Sequence, residues 1–294
     1  MNDYKVIIIG CGVAGMTAAI YLKRAGVSCV ILEKSMPGGQ IVDNGNILNY
    51  PGFSSISGSD LALNILSQVN SLDIPVKYEE VLEIKVDNNK KKVITSKSEY
   101  VSDYIIIATG RNPKMLGVRG EKEFRARGIS YCAVCDGSLY KDKEVVVIGA
   151  SDSAFEGAIY LSKLASKVTI LYRNSFRAKS YLQDMVKIID NINFVKGEVD
   201  SFEKNDKMVV KTKDNDLVCD GVFIYVGQVP NASFVSNLGI LDDKGYILVD
   251  SNLMTSIDGI YAVGDSLNKL DYQIVIAMGE AAKCALEIVR RFEV

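Results

Sequence analysis

The residues best placed to do chemistry are the two thiols of Tyr131-Cys132-Ala133-Val134-Cys135-Asp136-Gly137. Cysteines three positions apart on a helical turn can close a small disulfide, and Asp136 beside them can supply the proton that an opening disulfide needs. A redox centre of Cys132, Cys135 and Asp136 is therefore the leading reading. A structural zinc half-site and a pair of unrelated core cysteines are the alternatives. Zinc asks for four ligands, and the chain has no second CxxC and no histidine, so no metal site is expected. The lack of histidine also removes a Ser-His-Asp triad, a Cys-His pair and imidazole acid-base catalysis. The chemistry must use thiols, carboxylates or a cofactor.

Two βαβ patterns flank these thiols. Lys5-Val6-Ile7-Ile8-Ile9 is a β-branched apolar run of the kind buried on both faces of a parallel sheet. It ends in Gly10-Cys11-Gly12-Val13-Ala14-Gly15, followed by helical composition from Met16 to Arg24 and a second strand from Val27 to Leu32 that ends at Glu33. In this context Gly10 allows the turn and Gly12 lets the backbone approach a pyrophosphate. Gly15 lets helix and strand pack closely, and Glu33 can accept bonds from a ribose diol. The second pattern runs from the strand Glu144-Val145-Val146-Val147-Ile148 through the turn Gly149-Ala150-Ser151-Asp152-Ser153-Ala154 into a helix and another strand at Lys167 to Leu171. Its glycine code is incomplete. Ser151 stands where a missing side chain normally lets the pyrophosphate come close, so this half is expected to bind its nucleotide poorly or not at all.

Tyr104-Ile105-Ile106-Ile107-Ala108-Thr109-Gly110 reads as the strand closing the first unit, and Val222 to Val226 with Gly227-Gln228-Val229-Pro230-Asn231 does the same for the second. Gly259 to Asp265 is a further strand and turn with no sheet of its own nearby, followed by a helix from about Gln273 to Arg291. The economical arrangement is an α/β fold of two Rossmann-like domains, the second inserted in the first: residues 1–111 and 243–294 around residues 112–242. Two linkers permit a hinge.

The composition agrees with two globular cores: 294 residues, 48% hydrophobic and 24% charged. A formal charge of -2 gives no support for nucleic-acid binding. No apolar run approaches bilayer-spanning length, and the first residues lack the zones of a signal peptide, so a cytoplasmic protein with no membrane partner is expected. Cys11, Cys29, Cys219 and Cys284 lie in apolar stretches and read as core residues.

Taken together, Gly10 to Gly15 with Glu33, Gly38-Gly39-Gln40, Asn49-Tyr50-Pro51-Gly52-Phe53, Ala108-Thr109-Gly110, Cys132 to Gly137, Tyr261 to Asp265 and Gln273-Ile274 resemble the low-molecular-weight, flavin-dependent thioredoxin reductases over nearly the whole chain. The resemblance implies an FAD-binding first domain, an NAD(P)-like second domain carrying the CxxC, and a homodimer that reduces thioredoxin. It implies cofactor contacts from Gly10, Gly12, Val13, Ala14, Gly15, Glu33, Lys34, Gly39, Gln40, Asn49, Val81, Thr109, Gly110, Gly264, Asp265, Gln273 and Ile274. By the same likeness Cys135 faces the flavin, Cys132 attacks the partner's disulfide, and Asp136 acts as acid and base.

The departures from that family concentrate in the second domain. NADPH-using members carry GxGxxA and, after the next strand, His-Arg-Arg with a further arginine. Here the stretch is Tyr172-Arg173-Asn174-Ser175-Phe176-Arg177, and Tyr272 stands before Gln273 where the family usually has arginine. Losing one charge-assisted contact to a 2′-phosphate costs on the order of 1.5 to 3 kcal/mol. The sequence is most similar to the ferredoxin-dependent flavin thioredoxin reductases, which lack the nucleotide motifs, and ferredoxin is the expected donor. The gap of about 130 mV between a plant-type ferredoxin and thioredoxin makes that transfer downhill. Lys23, Arg24 and Lys269 read as solvated surface charge, with a basic rim for ferredoxin as the alternative. An NADPH-dependent reductase and a non-catalytic flavin-bound redox sensor are the rival functions.

Overall fold

The computed structural model describes residues 2–43, 46–47, 49–87, 90–125 and 127–292, with the backbone alone for Asn2, Asp3, Asp43, Asn46, Val134 and Cys135. The chain forms two compact units, Met1–Asn112 with Val229–Val294 and, between them in sequence, Pro113–Gln228. The outer unit is built on a sheet in the order Val76–Tyr78, Cys29–Glu33, Asn2–Ile9, Glu99–Ile107, Lys90–Thr95 and Val81–Asp87, with Ile260–Ala262 pairing beside Glu99–Ile107. The first strand runs parallel to both neighbours, Ile9 opposite Leu32 and Ile107. Val6, Ile7, Ile8 and Ile105 to Ile107 are fully buried, which is why these strands are continuous β-branched runs and not alternating ones. Helix Val13–Arg24 packs against the long helix Ile274–Phe292, so the last segment of the chain belongs to the first sheet.

The chain returns to the outer unit earlier than residue 243. Residues 229–242, expected in the inserted domain, pack with the outer unit: Ala232, Val235 and Ile240 are buried in its core. The reason is the short helix Ser233–Leu238, whose apolar side chains lie against strand Val81–Asp87, with Asn237 Nδ2 3.5 Å from Ile84 O.

The middle unit holds a parallel sheet in the order Ile129–Ser130, Gly221–Ile224, Glu144–Ile148, Lys167–Tyr172 and Ile192–Lys196, joined by an antiparallel three-stranded sheet, Val199–Lys204, Met208–Thr212 and Leu217–Cys219. Both units are thus Rossmann-type, and the second occupies a single stretch within the first. Among the described residues no helix is long and apolar enough to cross a membrane.

Candidate active site and nucleotide sites

The CxxC starts at Cys132, one residue before a short helix, Ala133–Asp136, that follows the edge strand Ile129–Ser130 of the middle sheet. Two contacts fix its start. Ser130 Oγ accepts from Cys132 N at 3.0 Å and lies 3.2 Å from Cys132 O, and Ala133 N donates to Tyr225 Oη at 2.7 Å. Tyr225 directly follows the closing strand Gly221–Ile224 of the same sheet, and its ring fills the space a side chain at Gly157 would need. Burial pushes the Tyr225 phenol up to about 12, so it stays a neutral hydroxyl at physiological pH. Asp136 N donates to Cys132 O at 3.3 Å, and Asp136 itself is partly exposed. Cys132 is disulfide-bonded. The Cys135 side chain lies outside the described residues, so its part in the chemistry stays a sequence expectation. The other four cysteines are free and buried, as expected of core residues. Burial raises Cys11 and Cys219 to about 12 and Cys29 to about 11, and it raises Cys284 as well, which leaves none of them a reactive thiolate.

A second anchor holds Tyr131, the residue before Cys132. Glu121 is fully buried, and its carboxylate accepts from Leu116 N at 2.9 Å, Gly117 N at 2.7 Å and Tyr131 Oη at 2.8 Å. Sequence reasoning passed over Glu121, Ser130 and Tyr225, because nothing in the residues beside them announces a partner.

In the outer unit the glycine turn takes the conformation its residues allow. Gly10 has φ 104°, and a Cβ there would lie 2.5 Å from Ala108 O; a Cβ on Gly15 would lie 1.9 Å from Gly10 O. Gly12 is different. Its φ is -79°, and the nearest atom to an added Cβ is Gly39 Cα at 3.9 Å, so the space in front of it is open. Val13 and Ala14 start the helix, which has no side-chain cap, so its first N–H groups are unclaimed by capping groups and point at that space. Ala14 also meets Gly264, where a Cβ would lie 3.2 Å from the Ala14 methyl.

Several of the remaining expected contacts are held by hydrogen bonds. Glu33 Oε2 accepts from Cys11 N at 2.7 Å, and Oε1 accepts from Ser35 N at 2.9 Å. Gln40 Nε2 donates to Arg111 O at 2.6 Å, and Asn49 Nδ2 donates to Gln273 Oε1 at 3.0 Å. Thr109 follows Ala108 over Gly10, and Gly110 has φ 62°. Ile274 opens the last helix and packs against the core. Lys34 is exposed, and Val81 pairs with Thr95; among the described residues no hydrogen bond ties either to the rest of the set.

Asp265 lies among charges. Arg111 Nε is 3.4 Å from Asp265 Oδ2, near enough for charge pairing though not aligned as a hydrogen bond, and Lys269 Nζ is 4.0 Å from Oδ1. Burial raises the Asp265 carboxyl above the usual carboxylate range, opposed by Arg111 and Lys269. The Arg111 guanidinium stacks 3.8 Å from the centre of the Tyr272 ring, a cation–π contact that sequence reasoning missed because 161 positions separate the two. Lys269 is not part of a solvated rim. Its side chain is 14% exposed and bonds Glu280 at 2.8 Å, because the turn after Asp265 folds it back over the last helix. Lys23 and Arg24 are exposed at the end of the Val13–Arg24 helix, where cations suit the helix dipole.

The middle unit carries a cavity of about 440 Å³ at the carboxyl ends of its parallel strands, lined by residues including Gly149, Ala150, Arg173, Asn174, Ser175, Arg177 and Glu198. Gly149 has φ 149°, and a Cβ there would lie 2.3 Å from Tyr225 O. Ser151 caps helix Asp152–Ser162 with φ -92° and ψ 173°, the same extended backbone as Gly12, and its hydroxyl makes no capping bond. The phosphate turn therefore keeps its shape without the glycine.

Residues 4–282 match the pyridine nucleotide-disulphide oxidoreductase family. The chain belongs to that family, in its low-molecular-weight thioredoxin reductase branch. It is 42% identical over 288 residues to the thioredoxin reductase of Listeria monocytogenes, covering 94% of this chain and 90% of the relative. Among solved structures it is similar to Lactococcus lactis thioredoxin reductase (39% identity, TM-score 0.88, 98% of each chain). It is also similar to the ferredoxin-flavin thioredoxin reductase of Clostridium acetobutylicum (31% identity, TM-score 0.57, 100% of this chain and 99% of the other). Its cofactor is FAD. The outer unit fits FAD on two observations: the glycine turn leaves open space before an uncapped helix start, and the buried Thr109 hydroxyl beside it has no hydrogen-bond partner among the described residues.

Proposed function

We propose that this thioredoxin reductase takes its electrons from a reduced nicotinamide nucleotide held in the middle-unit cavity and delivers them to thioredoxin through a Cys132–Cys135 disulfide. The cavity carries the proposal: it opens where ligands bind in parallel α/β sheets, before a helix start whose N–H groups are unclaimed by side-chain caps, and it contains Arg173 and Arg177. Likeness to the Listeria and Lactococcus reductases over nearly the whole chain supports the same reading.

Gly10, Gly12, Val13, Ala14 and Gly15 would hold the FAD pyrophosphate, and Glu33, next to Lys34, the adenine ribose, with Val81 near the adenine. Thr109, Gly110, Gly264 and Asp265 would line the ribitol chain. Gly39, Gln40, Asn49, Gln273 and Ile274 would border the ring. Bound there, FAD supplies the two-electron carrier between nucleotide and disulfide. Tyr225 and Ser130 anchor the backbone at the start of the CxxC helix. Cys135 receives the electron pair and Asp136 protonates the departing Cys132 thiolate; Asp136 then takes that proton back as Cys132 attacks the thioredoxin disulfide, and Cys135 resolves the resulting mixed disulfide, which releases dithiol thioredoxin and restores the Cys132–Cys135 disulfide. A swing of the middle unit about its two linkers would present one disulfide to both partners in turn. We place the enzyme in the cytoplasm as a homodimer.

Ferredoxin is the second reading, and Asn174 and Ser151 favour it, as does likeness to the Clostridium enzyme. Anaerobic mixing separates the two. On the nucleotide reading, NADH or NADPH bleaches the visible flavin band stoichiometrically within seconds; bleaching by reduced ferredoxin alone would transfer the enzyme to the ferredoxin class.

A further inference from the structure

The two βαβ units differ at one position that decides what part of a nucleotide each can hold. In the outer unit the second strand ends in Glu33, a carboxylate suited to a ribose diol. In the middle unit the matching strand ends in Tyr172, so that position supplies no acid. A carboxylate nevertheless reaches the cavity from the connection that follows the neighbouring strand, Ile192–Lys196. Gly197 N donates to Tyr172 O at 2.9 Å, which sets the next residue, Glu198, beside Arg173, and Glu198 Oε1 pairs with Arg173 Nη1 at 3.0 Å. Both side chains line the cavity. Arg177 lines it too, and among the described residues it has no carboxylate partner.

A 2′-phosphate and a free 2′-hydroxyl make opposite demands on such a pair. The phosphate dianion needs the Arg173 guanidinium, which Glu198 already occupies, and it would bring its charge next to a carboxylate. The hydroxyl needs an acceptor, which Glu198 provides without giving up Arg173. We propose that Glu198 is a specificity-determining residue: it lowers the cavity's affinity for the 2′-phosphorylated nucleotide and lets the unphosphorylated one compete. This rests on the nucleotide reading of the cavity. It makes the enzyme's choice between NADPH and NADH depend on a residue outside the phosphate turn and outside the arginine stretch.

The test is calorimetric titration of the oxidised, FAD-loaded enzyme with NADP⁺ and NAD⁺, which reads binding without turnover. Glu198→Gln keeps the size and removes the charge. Because the pair is solvent-exposed, the expected gain for NADP⁺ is about fivefold at low salt, with NAD⁺ changed by less than about twofold or weakened. The gain should disappear when Arg173→Gln is added to Glu198→Gln, since Arg173 is the group released. An unchanged ratio of the two affinities, or an equal gain for both nucleotides, overturns the role of Glu198 while leaving the cavity a nucleotide site. Failure of either nucleotide to bind either protein at millimolar concentration removes the role of Glu198 and the nucleotide reading together.

Discussion

Gly12→Ala and Gly15→Ala, three residues apart in one turn, should fail for different reasons. At Gly15 the new methyl would lie 1.9 Å from Gly10 O and 3.1 Å from Gly10 C, both backbone atoms that a side-chain rotation cannot move. Replacing a helical glycine gains about 1 kcal/mol in propensity, but relieving this overlap needs a backbone shift of order 1 Å, costing about 3 kcal/mol or more, so net destabilisation of about 2 kcal/mol is expected. At Gly12 the nearest atom is 3.9 Å away and φ is ordinary, so the methyl meets no clash. There the loss of a good helix cap and the reduced entropy of the unfolded chain nearly cancel, leaving apoprotein stability within about 0.5 kcal/mol of the parent. The same methyl fills the space in front of the helix N–H groups. Losing one or two charge-assisted bonds to the pyrophosphate costs about 3 kcal/mol, or about a hundredfold in FAD affinity. Urea unfolding of the flavin-free proteins and FAD titration by fluorescence quenching separate the two quantities. If Gly12→Ala destabilises the apoprotein as much as Gly15→Ala, or binds FAD like the parent, this account of the turn is wrong.

Two further outcomes are expected. Cys135→Ser should trap a thioredoxin lacking its own second cysteine as a stable mixed disulfide, whereas Cys132→Ser should trap little; gel analysis showing the opposite would exchange the two roles. The Asp265 carboxyl is raised by burial, so the folded state holds its proton more tightly than the unfolded state does. Its ionisation therefore opposes folding at neutral pH, and this penalty vanishes as pH falls below the ordinary carboxylate range. Asp265→Asn should accordingly raise apoprotein stability at pH 7 relative to the parent by more than it does near pH 4, and urea midpoints at the two pH values showing no such difference would contradict the assignment.

Gly10, Gly12, Gly15 and Glu33 were legible because a phosphate turn is one short element whose chemistry is written in adjacent residues. The CxxC was legible for the same reason. The inserted order of the domains could be inferred from a strand at 259–263 with no sheet of its own, but the return point could not. Gly239 and Asp242 within residues 229–242 do not mark a domain boundary, and the stretch joins the outer unit because Val235 and Ile240 find its core there. On the electron donor, adjacent residues and the tertiary structure point in different directions. Ser151 and Asn174 suggested a lost nucleotide site, yet the extended backbone at Ser151 preserves the turn, and a cavity remains. Tyr225 against Ala133 spans 92 positions, and Glu198 beside Arg173 spans 25. Strand order and register decide such pairs, because hydrogen bonds and ion pairs depend on distance in space, and a parallel sheet brings strand ends together whatever their separation along the chain.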